Sequence, residues 1–202
     1  MKFPILASFF LFIIILTRRI HMMRNRQESE EKSFWERERE ANQTRRKSLD
    51  NLDYIQIPMD RLPTHLMTDD ETVTDCLDIL NSLSTLKIVN LTGYTNTDLK
   101  MEYGAANIST LSEFDQNYTL LVCTLQKWAD VLWNAEHKKE AVSIMEFAME
   151  THTDVSATYY KLAEYYHSQG EDSRIADLIE SAETLNSASK NAIVRTLKKS
   201  YP

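Results

Sequence analysis

The distribution of proline is the feature that most restricts how this chain can fold. No proline lies between Pro63 and Pro202, and the chain has only three glycines. Proline breaks the interior of a helix and glycine destabilises it, so this long stretch favours helices. Apolar residues also recur within it at helical spacing. The sequence therefore predicts an all-α fold.

The glycines, histidines and acidic residues show no catalytic or metal-binding pattern. Phosphate-binding loops need several glycines at fixed spacing, and Gly93, Gly104 and Gly170 each lack a second glycine within that spacing. The five histidines lack HExxH or another ligand spacing, and the acids at 69–71 are better explained as charges at a helix start. We therefore predict no catalytic residue, no metal site and no cofactor. An enzyme whose residues converge only in three dimensions is the alternative.

Both cysteines fall at apolar positions of helical patterns. Cys76 and Cys123 do not form a CxxC pair, so we predict two buried free thiols in a reducing compartment. The alternative is one structural disulfide outside the cytosol.

The amino-terminal segment predicts a membrane anchor. Residues 3–16 read FPILASFFLFIIIL and carry no charge. The run is shorter than the usual span of about 20 apolar residues. Residues 20–23 extend it, and arginine stems can reach back to the headgroups. We predict a transmembrane helix over residues 1–20. A cleaved signal peptide is the alternative, although only Lys2 precedes the apolar core and no small-x-small site follows it.

The charges after the apolar run predict the topology. No acid lies among the first four arginines that follow it, and such a basic flank faces the cytoplasm. We expect the amino terminus outside, the rest of the chain inside, and contact between the membrane lipid and the helix. The predicted membrane-flanking residues are Arg18, Arg19, Arg24 and Arg26.

Four Asn-x-Ser/Thr sequences would matter only in a chain exported by a glycosylating cell. With the predicted topology they are chance matches. They begin at Asn42, Asn90, Asn107 and Asn117.

Charge changes sign along the chain. Residues 18–47 contain ten Lys/Arg and six Glu, whereas residues 48–202 contain twelve Lys/Arg and 24 Asp/Glu. Mixed charge at helical spacing predicts a solvated juxtamembrane helix over 21–47, with a coiled coil as one form of it. Pro58 and Pro63 predict an extended connector over 48–66. Nucleic acid is not among the partners we expect.

A spacing of 34 residues links two segments in the second half of the chain. Ala129 recurs as Ala163, and Ala148 recurs as Ala182. The segments beginning at Val122 and Ser156 therefore resemble tetratricopeptide repeats, which are 34-residue helical hairpins with small residues where the helices cross. The matched positions are Leu125, Trp128, Leu132, Ala141 and Met145 in the first segment, and Tyr159, Leu162, Tyr166, Ile175 and Ile179 in the second.

This resemblance implies a helical-hairpin domain. We predict two hairpins over 122–189, a capping helix over 190–202, and a helical region over 67–121 that packs on the repeats. Ile175 stands where the family has a small residue, and Thr153 and Ser187 replace its terminal proline, which leaves the register of the second hairpin open. An unrelated helical bundle is the alternative.

A stack of such hairpins has a concave face that is lined by the first helix of each. Aromatic residues beside acids suit a protein or peptide partner with basic or apolar side chains. We also expect Asp130 and Glu164, at equivalent positions, to repel each other until a cation approaches. A solvated face without a partner is the alternative. The predicted partner-binding residues are Gln126, Asp130, Trp133, Tyr160, Glu164 and His167.

Some members of the family clamp a carboxyl-terminal carboxylate with Lys and Asn. Other residue types stand at the matching positions here, so that specificity is not expected. The stretch FWERERE, followed by IQIP, also resembles uncharacterised membrane-anchored proteins of Gram-positive bacteria, which implies no activity. The sequence predicts a single-pass membrane scaffold; an exported envelope module and an enzyme without a recognisable motif are the alternatives.

Overall fold

All regular elements in the described part of the chain are helices, which confirms the all-α prediction. The computed structural model describes residues 3–201, with side chains from residue 10 onward. The chain divides into two compact units, Met1–Lys47 with Thr95–Ile108, and Ser48–Tyr94 with Ser109–Pro202. The helices are α1 (Phe3–Gln43), α2 (Glu71–Leu83), α3 (Asn96–Tyr103), α4 (Ile108–Asn134), α5 (Lys138–Glu150), α6 (Ser156–Gln169), α7 (Asp172–Thr184) and α8 (Lys190–Ser200).

The first unit joins the carboxyl-terminal end of α1 to the short helix α3. Thr95 caps α3 in a capping box with Asp98. Glu38 of α1 accepts hydrogen bonds from Lys100 and from the Thr97 hydroxyl, the latter at 2.7 Å. These bonds, with the Lys100 bond as the main cause, lower the pKa of the Glu38 carboxyl.

Asn107 fixes the chain that leaves α1. Its side chain is fully buried, and its Nδ2 donates to the carbonyls of Lys47 and Tyr103 at 2.8 and 2.7 Å. Its Oδ1 accepts from Arg46 Nε at 2.9 Å. Gly104 has a φ of 92°, and a Cβ there would lie 2.4 Å from the Arg45 carbonyl oxygen. Only glycine permits this close approach.

In the second unit, α2 and α4–α8 share one apolar core. Helical spacing places the large apolar residues on the buried side of each helix, because residues three and four positions apart lie on one face. Trp128, Tyr159 and Leu162 are among the largest fully buried side chains. The polar faces of the same helices remain outside the core.

The ends of the core helices follow local sequence signals. Asp70 caps α2, because its carboxylate accepts a hydrogen bond from the Val73 amide at 3.0 Å. Gly170 ends α6 in the left-handed conformation, with a φ of 75°, which glycine commonly adopts after a helix. The following helix, α7, begins at Asp172.

The helix boundaries recur at the predicted spacing of 34 residues. Helices α5 and α7 each contain 13 residues, and they begin at Lys138 and Asp172. Helix α6 begins at Ser156 and α8 at Lys190, again 34 positions apart. By contrast, α4 begins at Ile108, well before Val122, so the first hairpin opens with a helix of 27 residues.

The segment between residues 48 and 66 packs on the core of the second unit. Leu62 is buried, and Ile55 and Ile57 pack against the core. The Ile55 amide donates to the Ile88 carbonyl at 3.0 Å, beside an isolated bridge between Tyr54 and Val89. The proline-containing segment is therefore attached to the core, and it includes turns such as the one in which the Arg61 amide donates to the Pro58 carbonyl at 2.9 Å.

The two cysteines have different environments. Cys76 of α2 is a buried free thiol, and burial raises its pKa. The expectation that Cys123 is also buried is wrong. Its thiol is exposed because the α4 positions on either side, Val122 and Thr124, turn toward the core.

Candidate functional site

The six residues predicted to bind a partner lie on two helices, but the structure does not bring them into one cluster. Three are on α4 and three on α6, and each is half-buried or exposed. The α4 residues join a polar network between α4 and α6. Two of the α6 residues instead lie beside α7 and α8. The α4 residues are Gln126, Asp130 and Trp133; the α6 residues are Tyr160, Glu164 and His167.

The polar network connects α4 to α6. Gln126 Nε2 donates to Asp130 Oδ1 at 2.5 Å, and Thr158 Oγ1 donates to Gln126 Oε1 at 2.7 Å. Lys161 Nζ donates to the same Asp130 oxygen at 2.8 Å. The Asp130 carboxylate thus has a cation from its own chain. This corrects the expectation that Asp130 awaits a partner's positive charge.

The indole ring of Trp133 has basic and aromatic neighbours. The ammonium groups of Lys138 and Lys161 lie 5.3 and 5.5 Å from its centroid, within range of a cation–π interaction. Tyr165 makes an edge contact with the ring at 6.5 Å. Tyr160, which the sequence interpretation selected, instead packs against the core. Lys161 is paired with Asp130, and Lys138 lies 3.7 Å from a Glu136 carboxylate oxygen. This end of the face is therefore aromatic, with its lysines paired to carboxylates.

Helices α6, α7 and α8 surround a cavity of about 330 Å³. His167 Nδ1 lies 2.7 Å from Asp172 Oδ1, and the imidazole ring lies 5.2 Å from the Tyr201 ring. Burial and the nearby carboxylates of Glu164 and Asp172 raise the pKa of Tyr201. No cationic side chain in the described part of the chain pairs with Glu164. The cavity lining comprises His167, Asp172, Ile175, Ala176, Ile179, Ser200 and Tyr201.

A second cavity, of about 340 Å³, lies among α5, α6 and α7. Glu146 accepts hydrogen bonds from the Tyr166 hydroxyl at 2.9 Å and from Arg174 at 2.7 Å. The guanidinium group also lies 4.0 Å from the centroid of the Tyr166 ring. Burial, followed by the Glu146 hydrogen bond, raises the pKa of Tyr166. These groups satisfy one another and connect three helices.

The sequence interpretation missed Lys161, Tyr165, Asp172 and Tyr201. The first two could have been found from helix geometry, because side chains that touch across α4 and α6 are 31 or 32 positions apart. Side chains at equivalent repeat positions, 34 residues apart, lie on the same face of neighbouring first helices and do not contact each other. No comparable sequence signal identifies the contact between His167 and Tyr201.

The four membrane-flanking arginines of α1 differ in their neighbours. Arg24 pairs with Glu28 at 3.2 Å, and Arg26 pairs with Glu30 at 2.8 Å. No carboxylate in the described part of the chain pairs with Arg18 or Arg19. Arg24 and Arg26 are therefore neutralised by glutamates of the same helix, whereas, within the described residues, Arg18 and Arg19 are not.

Within the described residues, no helix has both the length and the apolar character needed to cross a membrane. The anchor predicted over residues 1–20 lies partly outside the described residues, because the side chains of residues 1–9 are not described.

The asparagines of the Asn-x-Ser/Thr sequences have their side chains engaged, and that of Asn42 is hydrogen-bonded to Glu38. Asn90 Nδ2 donates to the carbonyls of Thr151 and His152, and Asn117 Nδ2 donates to that of Lys87. Asn107 is fully buried. A glycan replaces one of the two hydrogens on the side-chain nitrogen, so modification of Asn90 would remove at least one of its two hydrogen bonds.

Among the described residues, no group of three or more His, Cys, Asp or Glu side chains could hold a metal ion. No family model, curated protein or solved structure matches this chain.

Proposed function

We propose that this protein is a single-pass membrane scaffold whose helical domain binds a protein partner at the cytoplasmic face of the membrane. The helical domain would be an array of tetratricopeptide-like hairpins, α4 with α5 and α6 with α7, closed by α8. The partner would be a protein or peptide with basic or apolar side chains.

The 34-residue recurrence is the observation that carries the proposal. It holds for helix boundaries and also for burial, since Ala129 and Ala163 are both fully buried, as is Ala182, while Ala148 is 3% exposed. Small residues allow two helices to approach closely, and this is their role in such hairpins. Repeat hairpins expose a face of first helices that is suited to extended peptides.

The second half of that face has the chemistry for a basic or apolar segment. Within the described residues no cation pairs with Glu164, and the neighbouring cavity combines the carboxylate of Asp172 with the rings of His167 and Tyr201. Carboxylates attract basic side chains, and the aromatic rings supply contact area. At the other end, Lys161 already neutralises Asp130. The proposed binding surface is therefore centred on Glu164.

The exposed apolar residues of α1 support a membrane location. Phe12 and Ile14 are 61% and 52% exposed, and exposed apolar patches of this kind mark interaction sites. The arginines that follow favour a cytoplasmic position for the rest of the chain. The engaged asparagine amides give no support to a glycosylated, exported form.

The exposed Cys123 thiol provides a test of topology. In intact cells, a membrane-impermeant maleimide should leave Cys123 unlabelled, and permeabilisation should permit labelling. Cys123→Ser is the control, since buried Cys76 should not react in the folded protein. Labelling of intact cells would overturn the cytoplasmic placement and favour the exported module.

Charge reversal tests partner binding. Glu164→Lys should reduce capture of a partner with the full-length protein after crosslinking in cells, whereas Glu180→Lys, on an exposed position of α7, should not. Helical content should be unchanged in both variants. Equal capture by both would overturn the proposed surface.

A further inference from the structure

We infer that Arg18 and Arg19 form a site for the phosphate groups of anionic phospholipids, and that Arg24 and Arg26 do not belong to it. The inference rests on the proposed membrane location and adds the headgroup class and the residues that recognise it.

The exposure of the preceding residues indicates lipid as the surrounding medium. Six consecutive apolar residues, Leu11 to Leu16, are between 37% and 61% exposed. Successive residues point about 100° apart around a helix, so six of them cover every side. A helix that docks on a protein, or on a second copy of itself, needs one apolar face. Lipid, unlike a single docked partner, covers all sides of a helix at once.

Thr17 marks the end of this apolar surface. Its hydroxyl donates to the carbonyl oxygens of Ile13 and Ile14 at 2.8 and 3.1 Å. The hydroxyl is therefore satisfied within the helix and needs no water. Arg18 is the next residue, so the headgroup region would begin there.

The local charge separates the two pairs of arginines. Between residues 10 and 23, Arg18 and Arg19 are the Lys or Arg residues, and that stretch has no Asp or Glu. Between residues 24 and 31 there are two arginines and three glutamates. Ion pairs join Arg24 to Glu28 and Arg26 to Glu30. The first stretch is thus cationic, and the second is slightly anionic.

Distance along the helix strengthens this separation. With a rise of about 1.5 Å per residue, Arg24 lies about 9 Å beyond Arg18 and about 7.5 Å beyond Arg19. Charges are largely screened beyond about 8 Å at physiological ionic strength. A headgroup phosphate level with Arg18 would therefore interact weakly with Arg24. The planar guanidinium groups of Arg18 and Arg19 can each bind a phosphate through two hydrogen bonds.

The test compares two double variants of the full-length protein. R18Q/R19Q removes the proposed site. R24Q/R26Q also removes two positive charges, but from the following turns of α1. Each protein is transferred from detergent to vesicles of phosphatidylcholine, with or without phosphatidylserine, and binding is measured by flotation. The net charge of the protein is the same in both variants.

Phosphatidylserine should strengthen binding of the unmodified protein and of R24Q/R26Q. For R18Q/R19Q, that gain should fall by about thirtyfold, since each arginine near an anionic surface contributes about 1 kcal/mol. If the two double variants lost this phosphatidylserine-dependent gain equally, the inference would be overturned. Binding that is strong on both vesicle types and indifferent to phosphatidylserine would also overturn it, although the anchor would stand. No binding to either vesicle would overturn the anchor as well.

Discussion

The contacts of α6 with α4 and with α8 use similar cores but different polar surfaces. On the outside, Lys161 pairs with Asp130 across α4 and α6. At the corresponding positions of α6 and α8, neither Glu164 nor Arg195 has an ion pair in the described part of the chain. The repeat spacing therefore preserves what is buried, while the polar surface changes from one unit to the next. The recurring buried positions are Leu125, Tyr159 and Ile193, and Ala129, Ala163 and Leu197.

The largest expected effect on stability comes from truncating Trp128, the core residue whose size differs most between the two hairpins. Trp128 stands where the second hairpin has Leu162, and both are fully buried. Trp128→Ala should lower the free energy of unfolding by about 3–5 kcal/mol, because it leaves a large cavity. Leu120→Ala, at a 45% exposed position of the same helix, should have little effect. Chemical denaturation followed by circular dichroism measures both. Similar losses would show that Trp128 is not a core residue.

The next effect tests whether the recurring alanines allow close helix approach. Ala163→Leu should destabilise the domain by about 1–3 kcal/mol through overpacking. Ala192→Leu, at an exposed position of α8, is the matched control. A stability loss confined to Ala163→Leu supports the repeat packing, and tolerance of both would contradict it. The same denaturation assay applies.

The sequence was sufficient for the parts of this structure that depend on period. The start of α6 at Ser156 and the buried alanines follow from the 34-residue spacing. The extension of α4 back to Ile108 did not, because amphipathic spacing continues across the repeat boundary at Val122. The ion pair between Lys161 and Asp130 did not follow from the spacing either. A 34-residue period identifies equivalent positions, whereas these two contacting residues are 31 positions apart.

A smaller effect is the difference in coupling energy between the polar contact of α4 with α6 and the corresponding positions of α6 and α8. The Asp130–Lys161 pair is partly exposed, with 42% and 25% side-chain exposure, so its coupling energy should be at most about 1 kcal/mol. A double-mutant cycle with Asp130→Asn and Lys161→Met measures it. The same cycle with Glu164→Gln and Arg195→Met should give no coupling. Equal coupling in both cycles would remove the distinction between the surfaces.

The smallest effect concerns pH. The Lys198 ammonium, through its hydrogen bond to Glu183 at 2.6 Å, lowers the pKa of that carboxyl. A lowered folded-state pKa stabilises the fold above the unfolded-state pKa, and this contribution disappears as pH falls through the folded-state value. Acidification should therefore loosen α8 from α7. The protection factors of the α8 amides against hydrogen exchange should depend less on pH in Glu183→Gln than in the unmodified protein. An unchanged pH dependence of protection would exclude this pair as the cause.

Site-specific photocrosslinking tests most directly whether the second surface is the one that binds a partner. A photoreactive amino acid would replace Glu164, Asp130 or Asp177 in separate full-length proteins, and crosslinked products would be compared in cells. Glu164 lies on the proposed surface, Asp130 on the neutralised one, and Asp177 is exposed on α7. We expect a protein adduct that is strongest from position 164, weak from 130 and absent from 177. Adducts from position 177 alone, or equal yields at all three, would contradict it.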